Sequence, residues 1–95
     1  MKVVSVNTSK TGEPAGWWYG NPKTARKCDY LVEERGGEVY AVYIFAGVSN
    51  RDLNGRFSFK GLTEVTSPMI CNRIKEGINL FREQGESNPI RYHEI

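Results

Sequence analysis

The sequence predicts an α+β domain built on a small, curved, mostly antiparallel sheet or a small β-barrel, with one long and one short helix. Three observations carry this. Gly36-Gly37 separates two strand-like runs, the pattern of a tight hairpin turn that needs positive φ. Ten glycines in 95 residues point to turn-rich β structure. Ile70, Ile74, Ile78 and Phe81 recur at helical spacing, so residues 68–84 form the one long amphipathic helix. The length fits a single domain, residues 1–95.

In chain order, the valine-rich run KVVSVN (2–7) predicts a first strand. Gly12, Pro14 and Gly16 then mark a loop, and Trp17-Trp18-Tyr19 follows. Asn21-Pro22 begins a short helix to about Cys28, with Asn as N-cap and Pro at the first helical position, where a missing N–H costs nothing. Ala25 and Cys28 face the core.

The hairpin arms are 29–35 and 38–46, and a two-residue turn pairs Arg35 with Glu38, Val32 with Ala41, Leu31 with Val42 and Tyr30 with Tyr43. One face then carries Leu31, Val42 and Ile44, the other Tyr30, Val32, Val39, Tyr43 and Phe45. Two apolar faces require cover on both sides, which a helix and a closed sheet supply. After the turn-rich SNRDLNG loop (49–55), Phe57 and Phe59 alternate in a strand over 56–60, and Leu62 to Val65 makes another. Ser67-Pro68 opens the long helix, Gly85 ends it, and Ile90 to Ile95 is a closing strand.

Composition narrows function by exclusion. No apolar run is long enough to span a membrane, and the start MKVVSVNTSK lacks the apolar core of a signal peptide, so a cytoplasmic protein is expected. Cys28 and Cys71 have no CxxC partners and read as buried thiols, not metal ligands or a disulfide. No GxSxG, P-loop, HExxH or GxGxxG segment occurs, and His93 is the single histidine. Glu33 and Glu34 point to opposite faces of a strand and make no carboxylate pair. No catalytic residue, metal or cofactor is therefore assigned.

The net charge is +2, but residues 1–27 carry five basic side chains and one acidic. This basic third also holds both tryptophans, the pairing of charge and aromatics that suits a polyanion. Three consecutive aromatics cannot all turn inward on an extended segment, so at least one of Trp17, Trp18 and Tyr19 is expected to be available for base stacking. The alternative is that one tryptophan anchors the core and the other covers a helix end. Lys23 and Arg26 share a face of the short helix, whose N-terminus adds N–H groups for an anion. Arg91 suits bidentate contact with phosphate or a base edge, and Asn21 or Asn88 suits a polar edge. Trp17, Trp18, Tyr19, Asn21, Lys23, Arg26, Asn88 and Arg91 are thus the candidate binding residues.

The order Gly-Trp-Trp (16–18), Asn-Pro-x-x-Ala (21–25), Gly-Arg-Phe-x-Phe-x-Gly (55–61) and Asn-Pro-Ile-Arg-Tyr (88–92) resembles a group of small proteins of bacteria and their phages, for which no established activity is implied. Trp18-Tyr19-Gly20-Asn21-Pro22-Lys23-Thr24-Ala25 is also similar, at shorter spacing, to a stretch of EVE-type domains in the PUA-like superfamily, which includes ASCH and YTH domains. That resemblance implies a small β-barrel with flanking helices and binding of RNA or a modified base in an aromatic-lined pocket. Some ASCH proteins are hydrolases of modified nucleosides using Lys, Thr and Glu, of which Lys23 and Thr24 have counterparts here. The leading expectation is a non-catalytic module for RNA, single-stranded DNA or a modified base. The alternatives are a phage-type protein that inhibits a host factor and a nucleoside-modifying hydrolase.

Overall fold

The computed structural model describes residues 1–80 and 88–95. In chain order its elements are β1 (Lys2–Asn7), β2 (Trp18–Tyr19), α1 (Pro22–Arg26), β3 (Tyr30–Arg35), β4 (Glu38–Ile44), β5 (Gly47–Val48), β6 (Arg56–Phe57), β7 (Phe59–Lys60), β8 (Thr63–Glu64), α2 (Pro68–Gly77) and β9 (Ile90–Glu94).

A five-stranded sheet of order β8-β4-β3-β1-β9 forms the centre. β1 and β3 pair in parallel and the other neighbours are antiparallel. Among the described residues the sheet stays open, with β8 and β9 as its edges. It is therefore a mixed, mostly antiparallel sheet, and among the described residues no closed barrel forms. Strand alternation divides the core into two layers. On one face Val4, Val6, Leu31 and Ile90 meet Trp18, Ala25, Val48, Phe57 and Phe59. On the other, Val3, Val32 and Val42 meet Ile74 of α2, with Ile70, Cys71 and Ile78 packed alongside. The long helix thus uses its predicted face. Phe81 and the rest of the expected helix beyond residue 80 lie outside the described residues.

α2 ends at Gly77 rather than running on to 84, because the chain turns extended at Ile78. Gly77 also lies against the end of the chain: a Cβ there would sit 3.1 Å from the side chain of Ile95. Pro68 occupies the first helical positions as expected, but Ser67 makes no side-chain cap bond.

The hairpin turn forms where predicted, with Gly36 and Gly37 at φ 60° and 80° and Arg35 opposite Glu38. Its register differs further along. Glu34 pairs with Val39 and Glu33 with Ala41, so Tyr40 is an extra residue, a β-bulge. Side-chain direction has period 2, so one extra residue reverses the pairing of everything beyond it. Val42 lies opposite Val32 and Tyr43 opposite Leu31, and Tyr43 and Phe45 join the Leu31 layer. The Arg35 guanidinium lies 3.9 Å over the displaced Tyr40 ring.

The expected strand over 56–60 is divided at Ser58. Phe57 pairs with Trp18 in a β2-β6 ribbon, and Phe59 pairs with Val48 in a β5-β7 ribbon. The two rings still share one layer, with centroids 5.7 Å apart at 72°. These ribbons and α1 cover the face opposite α2 and place β2 at the surface.

Candidate nucleic-acid interface

The aromatic triplet is exposed, buried, exposed. Trp17 and Tyr19 are each 57% accessible and Trp18 only 6%. The Trp18 indole N–H donates to Pro14 O at 3.1 Å, and its ring lies against Gly16, where a Cβ would come within 2.7 Å of it. Burial of Trp18 therefore turns its two neighbours outward together, as alternation on an extended segment requires. The triplet supplies one core anchor and two exposed rings.

Tyr19 is paired in register with Arg56, whose guanidinium lies 4.3 Å from the ring centroid, a cation–π stack. Among the described residues the buried Arg56 Nε has no hydrogen-bond acceptor. The loop before it is tightly made. Asp52 accepts from Asn54 N at 2.8 Å and Arg56 N at 3.0 Å through Oδ1, and its own N–H donates to Arg56 O at 2.8 Å. Arg51 Nε donates to Gly20 O at 2.9 Å, directly after Tyr19. Two arginines are thus fixed around β2, with Leu53 fully exposed at the loop tip.

α1 adjoins this patch. Asn21 caps it, with Oδ1 accepting from Lys23 N at 2.9 Å, so Asn21 has a local role already. Lys23 is exposed. Arg26 is turned to the 48–50 loop, donating to Val48 O from Nε and Nη2 (3.3 and 3.1 Å), to Ser49 O and to Asn50 Oδ1. It ties the helix to the scaffold.

No family model, curated protein or solved structure matches this chain.

The two C-terminal candidates are not brought to the tryptophans. Asn88 Oδ1 accepts from Ile90 N at 3.1 Å in a local turn before β9. Arg91 is paired with Ser5 and alternates with Ile90 and Tyr92, which places it on the α2 side of the sheet, away from Trp18. Tyr92 is the aromatic residue of β9 on that side, 40% exposed, with its hydroxyl near Gly20.

Sequence reasoning missed Arg51 and Arg56 as site residues. Their proximity to Tyr19 depends on pairings between remote segments. The visible signal was the Asp-x-Asn-Gly turn between the two arginines.

A second polar cluster lies under the Thr8 end of the first loop. Glu33 is buried; Oε2 accepts from Thr8 Oγ1 at 2.6 Å and Arg35 Nη2 at 2.7 Å, and Oε1 accepts from Tyr43 OH at 2.9 Å. Burial alone would raise its pKa. The bonds from Thr8, Arg35 and Tyr43 outweigh that and hold it below the usual value. Burial and then the bond to Glu33 push Tyr43 up to about 12. This carboxylate is covered and satisfied, and it fixes the loop that leads to Trp17. Among the described residues no group of three or more His, Cys, Asp or Glu is placed to hold a metal, and no helix is long and apolar enough to cross a membrane.

Proposed function

We propose that this chain is a non-catalytic binding module for single-stranded nucleic acid or a modified base. Trp17 and the open face of Tyr19 stack on bases, and Arg51, Arg56 and Lys23 face the phosphates. The observation that carries this reading is the Tyr19–Arg56 stack beside exposed Trp17, two flat platforms and a cation on one surface. Such platforms contribute about 1–3 kcal/mol per base and tolerate any base identity. The likeness to PUA-like domains agrees with this reading, and a barrel-like arrangement of the sheet with its two ribbons is part of the proposal.

The test is titration of tryptophan fluorescence with short DNA and RNA oligomers at low and high salt. Quenching that weakens steeply with salt is expected, because phosphate contacts release counterions. Absence of quenching by every oligomer at low salt would overturn the reading.

A second reading is a protein-binding surface, as in a phage-type inhibitor of a host factor. Leu53, presented on the hydrogen-bonded 51–56 loop beside Arg51 and Tyr19, has the makings of a binding hot spot. Binding of that kind depends much less on salt.

A further inference from the structure

A cavity of about 280 Å³ lies between α1 and β9, beside the aromatic patch but separate from it. Lys2, Thr24, Lys27, Cys28, Tyr92 and Glu94 line it. It lies just below the roughly 300–1,000 Å³ of pockets for drug-sized ligands, and suits one flat ring with its attached sugar.

Three features connect it to Tyr19. First, Tyr92 is a wall of this cavity, and its hydroxyl lies 3.9 Å from where a Cβ of Gly20 would be. Gly20 directly follows Tyr19, so the two places are divided only by a residue with no side chain. A Cβ there would also meet the Phe57 ring at 3.3 Å, at a φ of 156° that L side chains rarely adopt. Second, Lys2 and Lys27 face the cavity, and among the described residues neither side chain is in an ion pair. The acidic groups nearby are Glu94 and Asp29, and the Asp29 carboxylate is occupied in accepting Lys2 N at 2.9 Å. Third, Glu94 is the one carboxylate among the lining residues. Burial, then Asp29, pushes the Cys28 thiol up to about 11, so it stays protonated at neutral pH, and the His93 ring is turned away to Ser5 on the other face of the sheet. An aromatic wall, two ammonium groups outside any ion pair and a protonated thiol match a base with a phosphate at its edge.

We propose that this cavity receives the nucleotide adjoining the one stacked on Trp17 and Tyr19, so that the ligand is a single strand of at least two nucleotides crossing Gly20. The inference rests on the nucleic-acid reading above, and the experiment separates the two. Trp17 fluorescence is titrated with a nucleoside monophosphate, a dinucleotide and a tetranucleotide at low salt, for the native chain, Tyr92→Ala and Lys27→Gln. The dinucleotide should bind about 5- to 150-fold more tightly than the monophosphate, the range that one further stacked base supplies. In Tyr92→Ala that ratio should fall to near one, with monophosphate affinity unchanged. Lys27 is exposed, so Lys27→Gln keeps the test usable if Tyr92→Ala does not fold. It should lower the salt slope of dinucleotide binding by about one and leave that of the monophosphate alone. Equal affinity for monophosphate and dinucleotide in the native chain, or an unchanged slope in Lys27→Gln, overturns the second subsite while the stacking site stands. No quenching by any of the three overturns both.

Discussion

Two titratable side chains, one buried and one half-buried, make the stability of this protein depend on pH in separate windows. His93 shares a 2.8 Å hydrogen bond with Ser5 and is held below its ordinary pKa by burial, with Arg91 contributing. The unfolded chain therefore takes up this proton more readily, and the associated stability is present above about pH 6.5 and is lost as pH falls below it. Glu33 is also lowered, by bonds that outweigh its burial. Its contribution is present above the unfolded carboxyl value and is lost as pH falls through the lower folded one. Urea midpoints between about pH 7 and 3 should thus fall in two stages. His93→Gln should flatten the upper stage, and Glu33→Gln the lower. At neutral pH Glu33→Gln should also cost about 1–3 kcal/mol, since Arg35, Thr8 and Tyr43 lose a charged acceptor. Unchanged midpoints would mean that the network contributes nothing to folding. None of this was legible in the sequence. Thr8 and Glu33 meet through the parallel β1-β3 pairing, and that pairing joins segments whose order in a sheet no local pattern specifies.

At the scale of elements, local chemistry was legible and long-range contact was not. Asn21-Pro22, Ser67-Pro68 and Gly36-Gly37 each act within a few residues, and all three mark a helix start or a turn where expected. The register beyond the turn was misread because the bulge at Tyr40 is accompanied by the Arg35 stack, which no alternation pattern contains. The end of α2 was misread: the chain turns extended at Ile78, beside Gly77, which lies against Ile95 at the far end of the chain. The helix face was nonetheless right, and this makes Ile74 the sharpest test. It is fully buried between α2 and the sheet. Ile74→Ala should cost about 2–5 kcal/mol in chemical denaturation. Met69, exposed on the same helix, should tolerate alanine within about 0.5 kcal/mol. A reversed order of the two variants would place the wrong face of α2 on the sheet.

For the molecule as a whole, the sheet works as a partition between two chemistries. Packing on one side is α2 against Val3, Val32 and Val42, with Arg91 and His93 of β9 directed to that side. The other side carries the ribbons, α1 and the aromatic surface. The chain termini do meet, with the Met1 ammonium donating to Ile95 O at 2.8 Å. The candidate residues came from both ends of the chain, and β9 does pair with β1, but Arg91 has the wrong parity along β9. Ile90 is fixed in the Trp18 layer, so Tyr92 follows it there and Arg91 cannot. A ranking of the arginines follows for nucleic-acid binding. Arg51→Ala and Arg56→Ala should each weaken oligonucleotide binding and lower the salt slope by about one, as the loss of one phosphate contact does. Arg91→Ala should leave that slope unchanged. Arg26→Ala should lower the melting temperature, because its guanidinium holds the 48–50 loop, and should change the slope less than Arg51→Ala. Titrations of the four variants between about 50 and 200 mM salt span the range over which such slopes are measured. A slope that responds to Arg91 and not to Arg51 or Arg56 would move the site to the α2 side of the sheet and remove the Tyr19–Arg56 stack from the mechanism.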